Sequence, residues 1–135
     1  MSKKLIVFVL IGLSMNFSCN TDDDVVGTIN ETFIIGQWQL TSSTKNGTNV
    51  DLGTCDLMET YVFDKSNKVS ITLHTLNANN ICEEGSKTTY DYSITNKNLT
   101  ISNNSTFVIS TSENAKLILT SKSSSDTFVN TYKRK

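Results

Sequence analysis

Proline is absent from the 135-residue sequence, and histidine and tryptophan occur once each. Without proline, no X-Pro isomerisation step slows folding. The single histidine, His74, cannot complete a zinc site, and no Ser-His-Asp or Cys-His arrangement is supported around it. No glycine-rich phosphate loop is present either. These absences argue against an enzyme, and they predict neither a bound metal nor any other cofactor.

An excess of charge is also lacking. The formal net charge is −1, so nothing in the overall balance of acidic and basic residues indicates a nucleic-acid partner. Long apolar runs are scarce as well, apart from the nine residues Leu5 to Leu13, which are too few to span a bilayer as a helix. Because Lys3 and Lys4 precede this run, residues 1–18 are predicted to be a signal peptide.

Cys19 follows the signal peptide directly. The small residue Ser18 before this cysteine resembles the lipobox of bacterial lipoproteins. The resemblance implies that Cys19 becomes a lipidated N-terminus and that the membrane is a partner through the lipid anchor. Several acyl chains anchor firmly, since each buried CH₂ contributes about 0.8 kcal/mol. The alternative is an ordinary secretory signal followed by an incidental cysteine.

Residues 19–32 form a predicted tether. Asp22 to Asp24 repel one another and stay hydrated, which favours an extended linker over a folded segment. An acidic run after a lipidated cysteine also resembles the surface-export signal of some Gram-negative lipoproteins. We therefore expect an outer-membrane lipoprotein exposed at the cell surface, or otherwise held at the periplasmic face. The alternative is that the acidic run is only a soluble linker.

Residues 33–135 alternate between short apolar-polar strands and polar turns such as Asn46-Gly47. The predicted strands cover residues 35–44, 57–64, 69–76, 87–95, 98–102, 105–112, 115–122 and 126–134, with residues 77–86 as the longest polar loop. The connections are too short for parallel crossovers, so neighbouring strands should be antiparallel. The pattern predicts an all-β fold, an eight-stranded antiparallel up-and-down barrel, with a two-sheet sandwich as the competing architecture.

Alternation also predicts which side chains point into this barrel. The inward set consists of large apolar and aromatic residues: Trp38, Leu40, Tyr61, Phe63, Ile71, Leu73, Tyr90, Tyr92, Phe107, Leu117 and Phe128. An eight-stranded barrel is wide enough either to be filled by side chains or to hold one small ligand. All of these except Trp38 are candidate ligand-binding residues, and a filled interior remains the alternative.

The opening of the first strand carries a family resemblance. Gly36-x-Trp38 resembles the lipocalin signature, which implies that a basic residue near the C-terminus, Arg134 or else Lys133, packs over Trp38. More closely, residues 33–134 are similar to small bacterial lipoproteins with a lipocalin-like domain. The shared segments are Ile-Ile-Gly-Gln-Trp-Gln-Leu, Tyr-Val-Phe-Asp, Tyr-Asp-Tyr-Ser-Ile and Asn-Leu-Thr-Ile. The Thr-Asp-Tyr signature of larger lipocalins is not present, which argues against a transport role.

Cys55 and Cys82 are the cysteines that remain once Cys19 is lipidated. In an oxidising compartment such a pair is expected to form a disulfide. The bond would join the loop before the second strand to the loop after the third, at one end of the barrel, and would contribute about 3–4 kcal/mol. His74 is expected to be solvated on the outer face.

Together these observations predict a monomeric, membrane-anchored lipoprotein that is exposed at the surface. Its lipocalin-like barrel would bind a small apolar or amphipathic ligand, with no catalytic residues. The alternative is a non-enzymatic interaction or inhibitor module that uses its loops and outer face over a filled barrel. An open interior favours the first and a packed interior the second.

Overall fold

The computed structural model describes residues 31–112 and 115–135. The predicted signal peptide, Cys19 and the acidic run at residues 22–24 lie outside the described residues. The described elements are a short helix α1 (Glu31–Ile34), a 3₁₀ turn (Asp56–Met58) and the strands β1 (Gly36–Lys45), β2 (Thr48–Asn49), β3 (Thr60–Phe63), β4 (Lys68–Leu76), β5 (Cys82–Thr95), β6 (Asn98–Ile101), β7 (Ser105–Thr111), β8 (Leu117–Ser123) and β9 (Asp126–Arg134).

The strands form one sheet that closes on itself. Each pairs antiparallel with its neighbour from β3 through β9, and β1 pairs with both β3 and β9. In the closing pair, Trp38 lies opposite Arg134 and Leu40 opposite Tyr132. The short β2 pairs with the end of β1 alone and stands outside the closure. Among the described strands, eight therefore form the predicted antiparallel up-and-down barrel, and the sandwich alternative is wrong.

Asparagine residues adopt the left-handed backbone conformation in several connections between strands. The asparagines with positive φ, between 53° and 70°, are Asn46, Asn67, Asn80, Asn96 and Asn104. Asparagine tolerates this left-handed conformation better than most residues, because its short amide bonds to nearby backbone. All five of these asparagines lie in a short connection between two paired strands. Tight antiparallel connections thus account for these five asparagines.

The core fills one half of the barrel, which we call the base. The base is the end where β1 begins and β9 ends, and the opposite end is the mouth. Fully buried inward side chains at the base are Trp38, Phe63, Val69, Leu99, Ile101, Ile109, Leu117, Leu119 and Tyr132. Ile34 of α1 closes the base from below, and its carbonyl accepts a hydrogen bond of 2.7 Å from Trp38 Nε1.

Two predicted boundaries are wrong, both at the mouth. The second predicted strand, residues 57–64, begins only at Thr60 because Asp56–Met58 form the 3₁₀ turn. The predicted polar loop at 77–86 is mostly strand, since β5 begins at Cys82 and pairs with β4 back to Leu76. The residues of this extension are mostly polar and exposed, so backbone pairing rather than burial holds them in a strand.

Candidate functional site

The base is sealed by Arg134. Its guanidinium carbon lies 4.4 Å from the centre of the Trp38 ring, and Nη1 and Nη2 donate to the carbonyls of Ile35 and Phe33, each at 2.7 Å. A Cβ on Gly36 would lie 2.5 Å from Arg134 Nη1, and Gly36 has φ +128°, so the close approach needs glycine. The predicted motif of Gly36, Trp38 and Arg134 therefore acts as a structural plug. Lys133 lies opposite Gln39 in the alternate register and is exposed.

The candidate ligand-binding residues divide between base and mouth. Leu40, Phe63, Tyr92 and Leu117 are buried in the base, where they contact core side chains. The residues nearer the mouth are half-buried: Tyr61, Ile71, Tyr90, Phe107 and Phe128. Leu73 also shares the inward register, but 42% of its surface is exposed. The interior is thus tightly packed at the base and less completely buried toward the mouth.

Unequal strand lengths give the mouth walls of different height. β5 has 14 residues, whereas β6 has 4. β6 pairs only with Tyr92 to Thr95 of β5, so the first part of β5 is paired with β4 alone. The wall formed by β6 and β7 is therefore lower than the wall formed by β4 and β5. Tyr90 and Phe107 remain half-exposed beside this lower wall.

A chain of hydrogen bonds crosses the interior below the mouth. Ser43 Oγ donates to Asn130 Oδ1 at 2.7 Å, and Asn130 Nδ2 donates to Tyr132 Oη at 3.5 Å. Tyr132 Oη in turn donates to Glu59 Oε1 at 2.9 Å. Strands β1 and β9 are joined in this way to one carboxylate. The arrangement fixes the orientation of Glu59 within an aromatic interior, where Tyr61 lies edge-on to Tyr132 at 5.2 Å between ring centres.

Burial controls the charge of this cluster. It raises the pKa of Glu59 above its ordinary value; the hydrogen bond from Tyr132 opposes this rise, and the nearby Asp56 carboxylate adds to it. Burial, followed by the charge of Glu59, raises the pKa of Tyr61 to about 12. The ion pairs formed by described residues are Lys45–Asp126 and Lys68–Asp91, so Glu59 has no cationic partner among them.

Sequence reasoning missed Glu59. The residue precedes Tyr61 and Phe63 by two and four positions, so alternation alone places it on the inward face. A carboxylate on an otherwise apolar inward face is the signal that identifies it.

The predicted disulfide is confirmed. Cys55 and Cys82 are bonded with their Cα atoms 5.3 Å apart, and the bond joins the segment before β3 to the start of β5. His74 lies nearby in a cleft of about 360 Å³ that Asp56 and Leu76 also line. Its Nδ1 is buried and has no hydrogen-bond partner in the described structure. The expectation of a solvated His74 is therefore wrong for this atom.

A larger cleft of about 720 Å³ lies at the base, outside the packed core. It is lined by Thr32, Ile35, Lys65, Asn67, Tyr92, Ser93 and Ile94. The cleft is bounded on one side by the segment through which the chain enters the barrel, and on another by the turn between β3 and β4. This cleft is distinct from the mouth, which lies at the opposite end of the barrel.

Neither a cluster of metal-ligating side chains nor a membrane-spanning helix is found among the described residues. Within residues 31–112 and 115–135, no three His, Cys, Asp or Glu side chains come together as metal ligands. In the same two ranges, no helix has the length and apolar character needed to cross a membrane.

Comparison with known proteins places this barrel in a family. The profile of the lipocalin-like domain matches residues 34–132, which is most of the chain and almost all of the barrel. Neither a curated protein nor a solved structure matches the sequence. The family is generally a non-enzymatic binding fold, and the closed antiparallel barrel is consistent with ligand binding in general. The chain belongs to the lipocalin-like domain family.

Proposed function

We propose that the protein binds a small apolar or amphipathic molecule at the mouth of its barrel while a lipid on Cys19 anchors it to a membrane. The observation that carries the proposal is the gradient of burial inside the barrel. Inward residues at the base are buried, whereas Tyr61, Tyr90 and Phe107 on the same inward face are only partly buried. Covering such apolar surface is favourable, at about 25 cal/mol per Å².

Aromatic packing and the disulfide hold the residues of the mouth in place. Phe63 lies 6.0 Å from Tyr61 and 5.1 Å from Tyr92 between ring centres, which ties the floor of the mouth to the packed base. The disulfide ties the wall of β5 to the segment before β3. A rigid concave site loses little conformational freedom on binding, which favours affinity for a small ligand.

The anchoring part of the proposal is supported by the sequence alone. The signal peptide at residues 1–18, Ser18-Cys19 and the acidic run at 22–24 together support an outer-membrane lipoprotein displayed at the surface. In this arrangement the chain enters the barrel at the base, next to Ile34 and Trp38. The mouth then lies at the opposite end from the tether. We propose that the protein acts there as a monomer.

Neighbouring residues on β7 give a matched test of the ligand site. Phe107 points inward at the mouth, whereas Val108 points outward and is 48% exposed. Binding of the neutral fluorescent probe N-phenyl-1-naphthylamine to the full-length protein should weaken about tenfold in Phe107→Ser, since one aromatic contact is lost. Val108→Ser should bind the probe as the wild type does. Equal effects of the two substitutions would contradict a site inside the mouth.

A second function is favoured by a different observation. Leu76 and Ile81, at the tip of the β4–β5 hairpin, are 61% and 60% exposed. Exposed apolar side chains at one loop tip are typical of a protein-interaction surface. They favour a non-enzymatic interaction or inhibitor module that uses its loops. In that case Ile81→Ser would abolish capture of a protein partner, and Phe107→Ser would leave it unchanged.

A further inference from the structure

We infer that the mouth selects ligands carrying a protonated amine or another cationic group, and that Glu59 is the residue that recognises this group. The inference rests on the proposed function, because it names the ligand class of that same site. It starts from a carboxylate which the fold orients inside the barrel and leaves without a counter-charge.

The two oxygens of Glu59 have different surroundings. Oε1 accepts the hydrogen bond of 2.9 Å from Tyr132, whose hydroxyl is itself oriented by Asn130 and Ser43. Oε2 accepts no hydrogen bond from the residues that the structure describes. A carboxylate has room for several donors on its two oxygens, so Glu59 retains most of its accepting capacity. One oxygen is thus fixed, and the other is available to a ligand.

The cations of the protein do not neutralise Glu59. Lys45 has the inward register on β1, but its Nζ lies 2.8 Å from Asp126 Oδ2 and 5.5 Å from the centre of the Phe128 ring. Besides burial, the pKa of Glu59 is shifted by the hydrogen bond from the Tyr132 hydroxyl and by the Asp56 carboxylate, and neither supplies a positive charge. A partly buried carboxylate without a counter-charge is costly to a fold. A bound cation would supply that charge.

Two tyrosine rings, those of Tyr132 and Tyr61, lie close to the Glu59 carboxylate. Tyr132 packs edge-on against Tyr61, and Tyr90 is close enough to Tyr61 to influence its ionisation. Faces of tyrosine rings attract cations, more strongly where water is excluded. Tyr90 and Phe107 also provide apolar surface for the rest of the ligand. The geometry therefore suits an amphiphile with an apolar body and one cationic group.

A purely structural role for Glu59 makes a different prediction. Tyr132 needs only an acceptor, and glutamine would supply the same oxygen without a charge. Glu59→Gln should therefore preserve the fold while it removes the charge. Glu84→Gln is the matched control, because Glu84 is an exposed residue of β5 opposite His74.

Three probes of equal chain length separate charge from apolar contact: octylammonium, 1-octanol and octanoate. Binding to the full-length protein is measured by NMR titration at neutral pH. We expect octylammonium to bind roughly tenfold more tightly than octanol and octanoate to bind weakest, as one charge-assisted contact is gained or opposed. Glu59→Gln should equalise octylammonium and octanol, whereas Glu84→Gln should keep the preference. Octylammonium should also lower the pKa of the Glu59 carboxyl in the wild type.

Each other outcome overturns the inference. Equal binding of the three probes to the wild type would refute cation selection but leave the proposed function standing. A preference that survives in Glu59→Gln would show that another group recognises the cation. Absence of binding by all three probes, together with no effect of Phe107→Ser on the fluorescent probe, would reject the proposed function and this inference with it.

Discussion

The guanidinium of Arg134, the penultimate residue, lies over the indole of Trp38, with 4.4 Å between the guanidinium carbon and the ring centre. The two residues are also directly opposite each other in the pairing of β1 with β9. The contact therefore exists only because the first and last strands of the barrel meet. It seals the base, and its two hydrogen bonds to Phe33 and Ile35 hold the entering chain against the core.

Trp38 and Arg134 should contribute to the free energy of unfolding in a coupled, non-additive way. Trp38→Ala should destabilise the protein by about 3–5 kcal/mol, because a large side chain is lost from a packed core. Arg134→Ala should cost about 1–3 kcal/mol, since a ring contact and two charge-assisted hydrogen bonds disappear. Urea unfolding of both variants and the double variant measures the coupling. The double variant should lose less stability than the two single losses added together, and simple additivity would contradict the plug.

The disulfide should stabilise the mouth and the whole fold. It links residues separated by 27 positions, and the chain-entropy estimate for such a loop is about 3–4 kcal/mol. Cys55→Ser should lower the unfolding free energy by about this amount, and Cys82→Ser should do the same. Reduction of the wild type serves as the control, because it should reproduce both variants. A variant as stable as the oxidised wild type would contradict this role.

Glu59 should make the protein less stable as the pH rises from acid to neutral. Its folded pKa is raised above the ordinary value of 4.5, so the folded state holds the proton more tightly than the unfolded state. The contribution of Glu59 is most favourable at pH values below 4.5 and is lost as pH rises through the raised folded pKa. Glu59→Gln should therefore be more stable than the wild type at neutral pH, with the advantage shrinking on acidification. Thermal unfolding from acid to neutral pH measures this; an advantage that grows on acidification would contradict it.

Anchoring should depend on Cys19. Cys19→Ser should move the protein from the membrane fraction to the soluble fraction, because the acyl chains that hold it are no longer attached. Ser18→Gly, which keeps a small residue before the cysteine, is the matched control and should stay with the membrane. If Cys19→Ser still sediments with membranes, the lipid anchor is not what holds the protein.

Surface display is tested separately. Replacement of Asp22 to Asp24 by alanine should hide the domain from protease added to whole cells while leaving it in the membrane fraction. Replacement of the acidic residues Glu83 and Glu84 in β5 is the control and should leave the domain accessible to protease. Unchanged protease sensitivity after the first replacement would mean that the acidic run is only a linker.

The sequence was sufficient for the barrel but not for its mouth. Alternation of apolar residues and short asparagine turns identified the strands at the base, where burial and backbone pairing agree. At the mouth, backbone pairing occurs without burial. Residues 82–86 are paired in a strand although they are mostly exposed and polar, so the sequence carries no apolar alternation that would indicate a strand there. The register also shifts after Leu40 and after Leu73, and such irregularities reverse which residues point inward. Ser43 and Lys45 consequently face the interior, which strict alternation from Trp38 would not predict.

Amide shift mapping with N-phenyl-1-naphthylamine locates the ligand most directly, because the mouth and the larger cleft lie at opposite ends of the barrel. The largest shifts should occur at Tyr61, Tyr90 and Phe107 around the mouth, with little change at Asn67 and Ser93 in the cleft at the base. Shifts concentrated at Asn67 and Ser93 would place the ligand at the base and contradict a binding site inside the barrel mouth.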